Sequence, residues 1–175
     1  MPMQQKIAIA LMFLPLAIGI TYMDVRYRRI PNKLVLAVLM AGLILNTLFG
    51  QWHGLLTSLG GLALAFGLMF ILHAFGTMGA GDVKLFAAIG SMVGTSHVLP
   101  MLFIVALTGG VLAVGKMIYA RRAGRTLVGV AQFFYGLLPG QTIPRFEITG
   151  DHRVTLPYAV PICFGAIVSL FLFGA

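Results

Sequence analysis

From Leu34 to Gly81 the chain carries no Lys, Arg, Asp or Glu. A soluble domain draws about a quarter of its residues from those four types, whereas here they make up 9% of the chain and apolar residues 59%. Two membrane crossings of ~20 residues each fit the stretch, with Gly50-Gln51-Trp52-His53-Gly54 as the turn between them. The sequence therefore predicts an all-α integral membrane protein. It excludes a soluble globular domain, a disordered tail and a fibrous repeat.

Other uncharged runs complete the count. Ile7 to Met23 is one span, 34–50 and 55–75 are the next two, and Leu85 to Gly115 divides around Gly94-Thr95-Ser96-His97. Val154 to Ala175 is the last, giving about six transmembrane helices in a single membrane-embedded domain, residues 1–175. With the N-terminus outside, loops 24–33, 76–84 and 121–153 and the inner end of the fifth span collect all of the twelve Lys and Arg except Lys6. Such asymmetry is the positive-inside pattern, and five or seven spans would scatter it. It also assigns the net charge of +8 to membrane lipid rather than to nucleic acid. Thr126 to Leu138, inside the basic cytosolic loop 121–153, is too short to span and reads as an interfacial or re-entrant helix near 126–138. The first span has a long apolar core, lacks a small-x-small site and runs directly into Asp24-Val25-Arg26, which favours a retained helix over a cleaved signal.

Chemistry has few places to reside. Cys163 is the sole cysteine, so neither an internal disulfide nor a Cys-based zinc site forms. His53 and His97 fall in outer turns and His152 in the basic loop, so no metal site and no cofactor is expected. Of the four acids, Glu147 and Asp151 lie in the basic loop, where pairing with Arg145 or Arg153 accounts for them. Asp24 and Asp82 abut apolar helices, and carboxylates at membrane depth are costly and usually functional. The ordinary reading of each is a helix cap or a partner for Arg26 or Arg28. The assigned topology nevertheless brings both to the inner face.

Asp82 stands in Gly79-Ala80-Gly81-Asp82-Val83-Lys84. The glycines tolerate positive φ and close approach of another backbone, and the helix N-terminus favours the carboxylate. From Asp82 to Ser96 the fourth helix reaches only ~22 Å, less than the ~30 Å hydrocarbon core. That recesses Asp82 and leaves Lys84 to snorkel outward. Two partly desolvated carboxylates in contact share one proton, so that one acts as general base for water and the other as general acid. A different reading is a small proton-coupled transporter. It lacks a visible inverted repeat, and both acids lie on one side. A non-catalytic subunit of a secretion assembly is a third.

Gly79-x-Gly81-Asp82-Val83-Lys84-Leu85, followed by Ala87, Ala88, Gly90 and Gly94, resembles the GxGD motif of the prepilin peptidases (type IV leader peptidases). Asp24-x-Arg26-x-x-Arg29-Ile30-Pro31-Asn32 resembles the segment around that family's first catalytic aspartate. Leu156-Pro157-Tyr158-Ala159-Val160-Pro161, followed by Gly165, is similar to its last helix. The resemblance implies an aspartic endopeptidase with Asp24 and Asp82 as the catalytic pair. Its partner would be a prepilin substrate, whose short basic leader is cleaved at the cytosolic face of the bacterial inner membrane, usually after a Gly. Gly79 and Gly81 would admit the scissile backbone, with Lys84 and Asn32 beside it. Larger members carry a cytosolic domain with zinc-binding cysteine pairs and also N-methylate the new terminus. The single cysteine here predicts peptidase activity without methyl transfer. The size is similar to the small peptidases of tight-adherence (Flp-type) pilus systems and near that of archaeal preflagellin peptidases.

The remaining polar residues have ordinary readings. Arg28 and Arg29 set topology, and Pro31-Asn32 starts the second helix. His73 is either a tuner of the pair's protonation or a packed, hydrogen-bonded histidine. Asn46 bridges helices, and Gly60, Gly61, Gly67, Gly109, Gly110 and Gly115 are helix-packing positions.

Overall fold

A computed structural model describes residues 2–76, 78–119 and 158–173. Among the described residues are five helices: α1 (Met3–Tyr27), α2 (Asn32–Ala74), α3 (Ala80–Val93), α4 (Thr95–Tyr119) and α5 (Ala159–Leu172). Three of them, α1, α2 and α4, are long and apolar enough to cross a membrane. The expected helix near 126–138, the loop 121–153, Glu147 and Asp151 lie outside the described residues. The residues up to Thr108, with those from Tyr158 onward, form one compact unit, while from Gly109 α4 continues into a second.

Helix α1 shows why the sequence folds as it does in an apolar solvent. Ile9, Phe13, Ala17, Ile20 and Asp24 recur at helical spacing and are buried, while Leu11, Ile18 and Val25 on the opposite side are exposed. A helix apolar all round belongs in a core or a bilayer. Asp24 continues the inward stripe, so the chain places a carboxylate where the pattern calls for a hydrophobe. The helix runs one turn beyond the expected end at Asp24 and stops at Arg28, which is left-handed (φ 53°) and returns its N–H to the Asp24 carbonyl. At the other end Lys6, expected on the outer side, is buried together with Gln5.

The two spans foreseen at 34–50 and 55–75 are arms of α2, reversed at one residue. Gln51 has φ 49° and ψ −131°, and a Cβ on Gly54 would overlap the Asn46 carbonyl, a contact impossible along a straight helix. Both arms lie against α3. Gly61 meets Gly90 backbone to backbone, with no room for a side chain between them. That close approach is what small residues provide where no hydrophobic force drives helices together in lipid. Gly67, expected in the same role, has nothing within 4 Å and faces open space.

Helix α3 is the buried centre. Every residue from Leu85 to Val93 is buried, yet its 14 residues span only ~21 Å. Its last carbonyls end inside the protein, where no water satisfies them. Side chains from α2 do so instead. Asn46 Nδ2 donates to the carbonyls of Ser91 (2.8 Å) and Met92 (3.1 Å), and Ser58 Oγ donates to Ser91 (2.7 Å). Gln5 of α1 donates in turn to Asn46 Oδ1 at 2.8 Å. Asn46 thus joins three helices, as its position in an apolar run suggests. The chain leaves α3 through Gly94, whose φ of 75° a side chain would strain.

Candidate active site

Three helix ends meet around the two aspartates. Asp24 projects from the last turns of α1 and is 7% exposed. Asp82 stands in the first turn of α3 and is half-buried. Asp82 lies close enough to Asp24 to feel the charge of that carboxylate. The structure therefore brings together the pair that the sequence places on one face.

Each carboxylate is oriented by a backbone amide. Asp82 is the third residue after Gly79, the N-cap of α3. Its side chain turns back to the Gly79 backbone, the half of a capping box that an acid at this position supplies. A Cβ on Gly79 would sit 3.1 Å from Asp82 Oδ2, so the glycine lets the carboxylate fold over its own loop. Positive φ is not the reason: Gly79 has φ −73°, and among the described residues the glycines with positive φ are Gly76 and Gly94. Gly81 is exposed, and an added Cβ would meet only Ile30, at 3.9 Å. The surface beside Asp82 is open to another backbone.

Asp24 is held from a distant part of the chain. The Ala159 N–H, first in α5, donates to Asp24 Oδ2 at 3.1 Å. The positive end of the α5 dipole therefore abuts the buried carboxylate. Tyr158, the N-cap of α5, feels the charge of Asp82. Cys163, one turn further on, feels that of Asp24 and shares a hydrogen bond with Thr21. The start of α5 thus serves both carboxylates, a role not foreseen; the sequence signal was Pro161 in the first turn of an apolar run, which marks a helix start.

The other candidates fall around this centre. His73 Nδ1 is 2.7 Å from the Met78 carbonyl and ties the end of α2 to the loop entering α3, the ordinary packed reading of that residue. Lys84 and Asn32 are exposed and line one groove between α2 and α3. Among the described residues no three His, Cys, Asp or Glu side chains gather as a metal-binding group. Two carboxylates beside an exposed glycine strip are groups that can give and take protons.

Comparison with known proteins places both aspartates within one family. The model of the type IV leader peptidase family matches residues 11–114, which include both aspartates. A prepilin leader peptidase/N-methyltransferase of Legionella pneumophila is 31% identical over 127 residues, 69% of this chain and 43% of that protein. Its namesake in Bacillus subtilis is 29% identical over 66% of this chain and 47% of its own length. That of Escherichia coli is 31% identical over 62% and 51%. The chain spans about half the length of these relatives, whose printed names carry both activities. No solved structure matches the chain. By the extent of the family match, taken with the paired aspartates it covers, the chain belongs to the type IV leader peptidase family.

Proposed function

We propose that the chain is a membrane-embedded aspartic endopeptidase that removes the short basic leader of prepilin-like proteins at the cytosolic face of the inner membrane. It crosses the membrane six times with its N-terminus outside, the two arms of α2 counting as two spans. The observation that carries the reading is the electrostatic coupling of Asp24 with Asp82 at the ends of two helices in a family of leader peptidases.

The pair holds one proton in common. The ionised member takes a proton from water as its oxygen bonds to the scissile carbonyl carbon, and the protonated member gives its proton to the carbonyl oxygen. Collapse of the tetrahedral adduct breaks the C–N bond: the departing nitrogen takes up the proton gained from water, and a hydroxyl of the adduct returns a proton to the carboxylate that donated one. Amides from Gly79 and Ala159 fix the carboxylates before substrate arrives, so little reorganisation precedes the reaction. The open strip at Gly81 receives the substrate backbone. Co-expression with a prepilin-like protein tests the proposal, read by gel shift and N-terminal sequencing. Cleavage with the parent and none with Asp24→Asn or Asp82→Asn, at equal membrane levels, is the expected result. Unchanged processing by both variants would refute it.

A further inference from the structure

A groove of about 420 Å³ opens between the two arms of α2 and α3. Its walls are apolar, from Val35 and Leu39 on the first arm, Phe66 on the second and Ala88 on α3. Its polar residues are Asn32, first in α2, and Lys84, near the start of α3. The groove therefore has one cationic end and a hydrocarbon-like interior.

The groove is separate from the aspartates. Asp82 and Lys84 are two residues apart on one helix and so lie about 200° apart around it; Lys84 and Ala88 share a face. Asp24 and Asp82, the only carboxylates among the described residues, are coupled to each other and lie across α3 from the lysine. Nor is a helical partner a good fit, since a helix ~10 Å across fills on the order of 420 Å³ in a single turn. A single flexible chain fits the groove.

The geometry points to a binding site for one anionic phospholipid, with an acyl chain along Val35, Leu39, Phe66 and Ala88 and its phosphate on the Lys84 ammonium and Asn32 amide. Charge complementarity selects this occupant: an ammonium held over an apolar channel matches a phosphate esterified above an acyl chain. The inference does not depend on the peptidase reading, because neither aspartate takes part.

Phe66→Trp in a Trp52→Phe background places the only indole of the chain at the groove wall. The variant is reconstituted into phosphatidylcholine vesicles containing increasing mole fractions of brominated phosphatidylglycerol or, in parallel, brominated phosphatidylcholine. Bromine on the acyl chains quenches an adjacent indole, and circular dichroism confirms retained helix content. The expected result is quenching by the anionic lipid at about fivefold lower mole fraction, the ratio that one lysine supports. Lys84→Ala abolishes the preference and Lys84→Arg keeps it. Equal quenching by the two lipids, or a preference that survives Lys84→Ala, would overturn the proposal. So would displacement of the brominated lipid by a prepilin-like protein, which would assign the groove to substrate.

Discussion

The Ala159 amide donates to Asp24 Oδ2 across 135 positions of sequence. This single bond sets the N-terminus of α5 beside the aspartates, since the N-cap of the same helix, Tyr158, feels the charge of Asp82. Positioning of the pair therefore depends on three helices, not on the two that carry the acids.

Either aspartate is indispensable under the proposed mechanism. Asp24→Asn and Asp82→Asn each lower cleavage of a prepilin-like substrate by about a thousandfold or more, the scale on which members of a concerted catalytic unit fail. Asp24→Asn still offers an oxygen to the Ala159 N–H but can neither carry the charge nor take a proton. Quantitative gel-shift assays with purified protein measure the loss.

The glycines of the loop separate by their surroundings. Gly79→Ala presses a methyl group toward Asp82 Oδ2, 3.1 Å away, and lowers kcat by tilting the carboxylate. Gly81→Ala meets only ordinary contact with Ile30 and leaves the fold intact, yet raises KM by crowding the substrate backbone. Steady-state kinetics on the two variants distinguishes a kcat effect from a KM effect.

A shared proton gives a bell-shaped dependence of kcat/KM on pH. Raising the pH removes the proton needed at the carbonyl oxygen; lowering it protonates the base needed at water. A single sigmoid over the full range would exclude the pair as the acid–base unit.

At the far end of α3, Asn46→Ala strips the Ser91 and Met92 carbonyls of a donor and Gln5 of its acceptor. A cost of about 2–4 kcal/mol follows from leaving buried polar groups unmet. Ser58→Ala costs less, about 1 kcal/mol, because Asn46 still serves Ser91. Gly61→Leu prevents α2 from reaching α3, whereas Gly67→Ala stays within about 0.5 kcal/mol of the parent. Thermal unfolding in detergent ranks the four.

Much of this was legible in the chain itself. The charge-free stretch from Leu34 to Gly81 anticipated α2 and its reversal, and the placing of Asp24 and Asp82 at helix ends on one side anticipated their proximity. The position of Asn46 in an apolar run anticipated its bridging role. Three things were not legible, each because it depends on packing between remote segments. The amide of Ala159 reaches Asp24 only once α1 and α5 are packed. Gly79 is required for the fold of the Asp82 side chain rather than for its own φ. Lys6 is buried although its charge and terminal position suggest a wet end.

The polar clasp on Ser91 and Met92 has a consequence at the opposite pole of the same helix. A rod of 14 residues pinned at its deep end fixes how far its other tip protrudes. Asp82 thus owes its altitude in the membrane to side chains roughly two and a half helical turns away, and lengthening or shortening that rod by a residue would swing the acid out of reach of its companion.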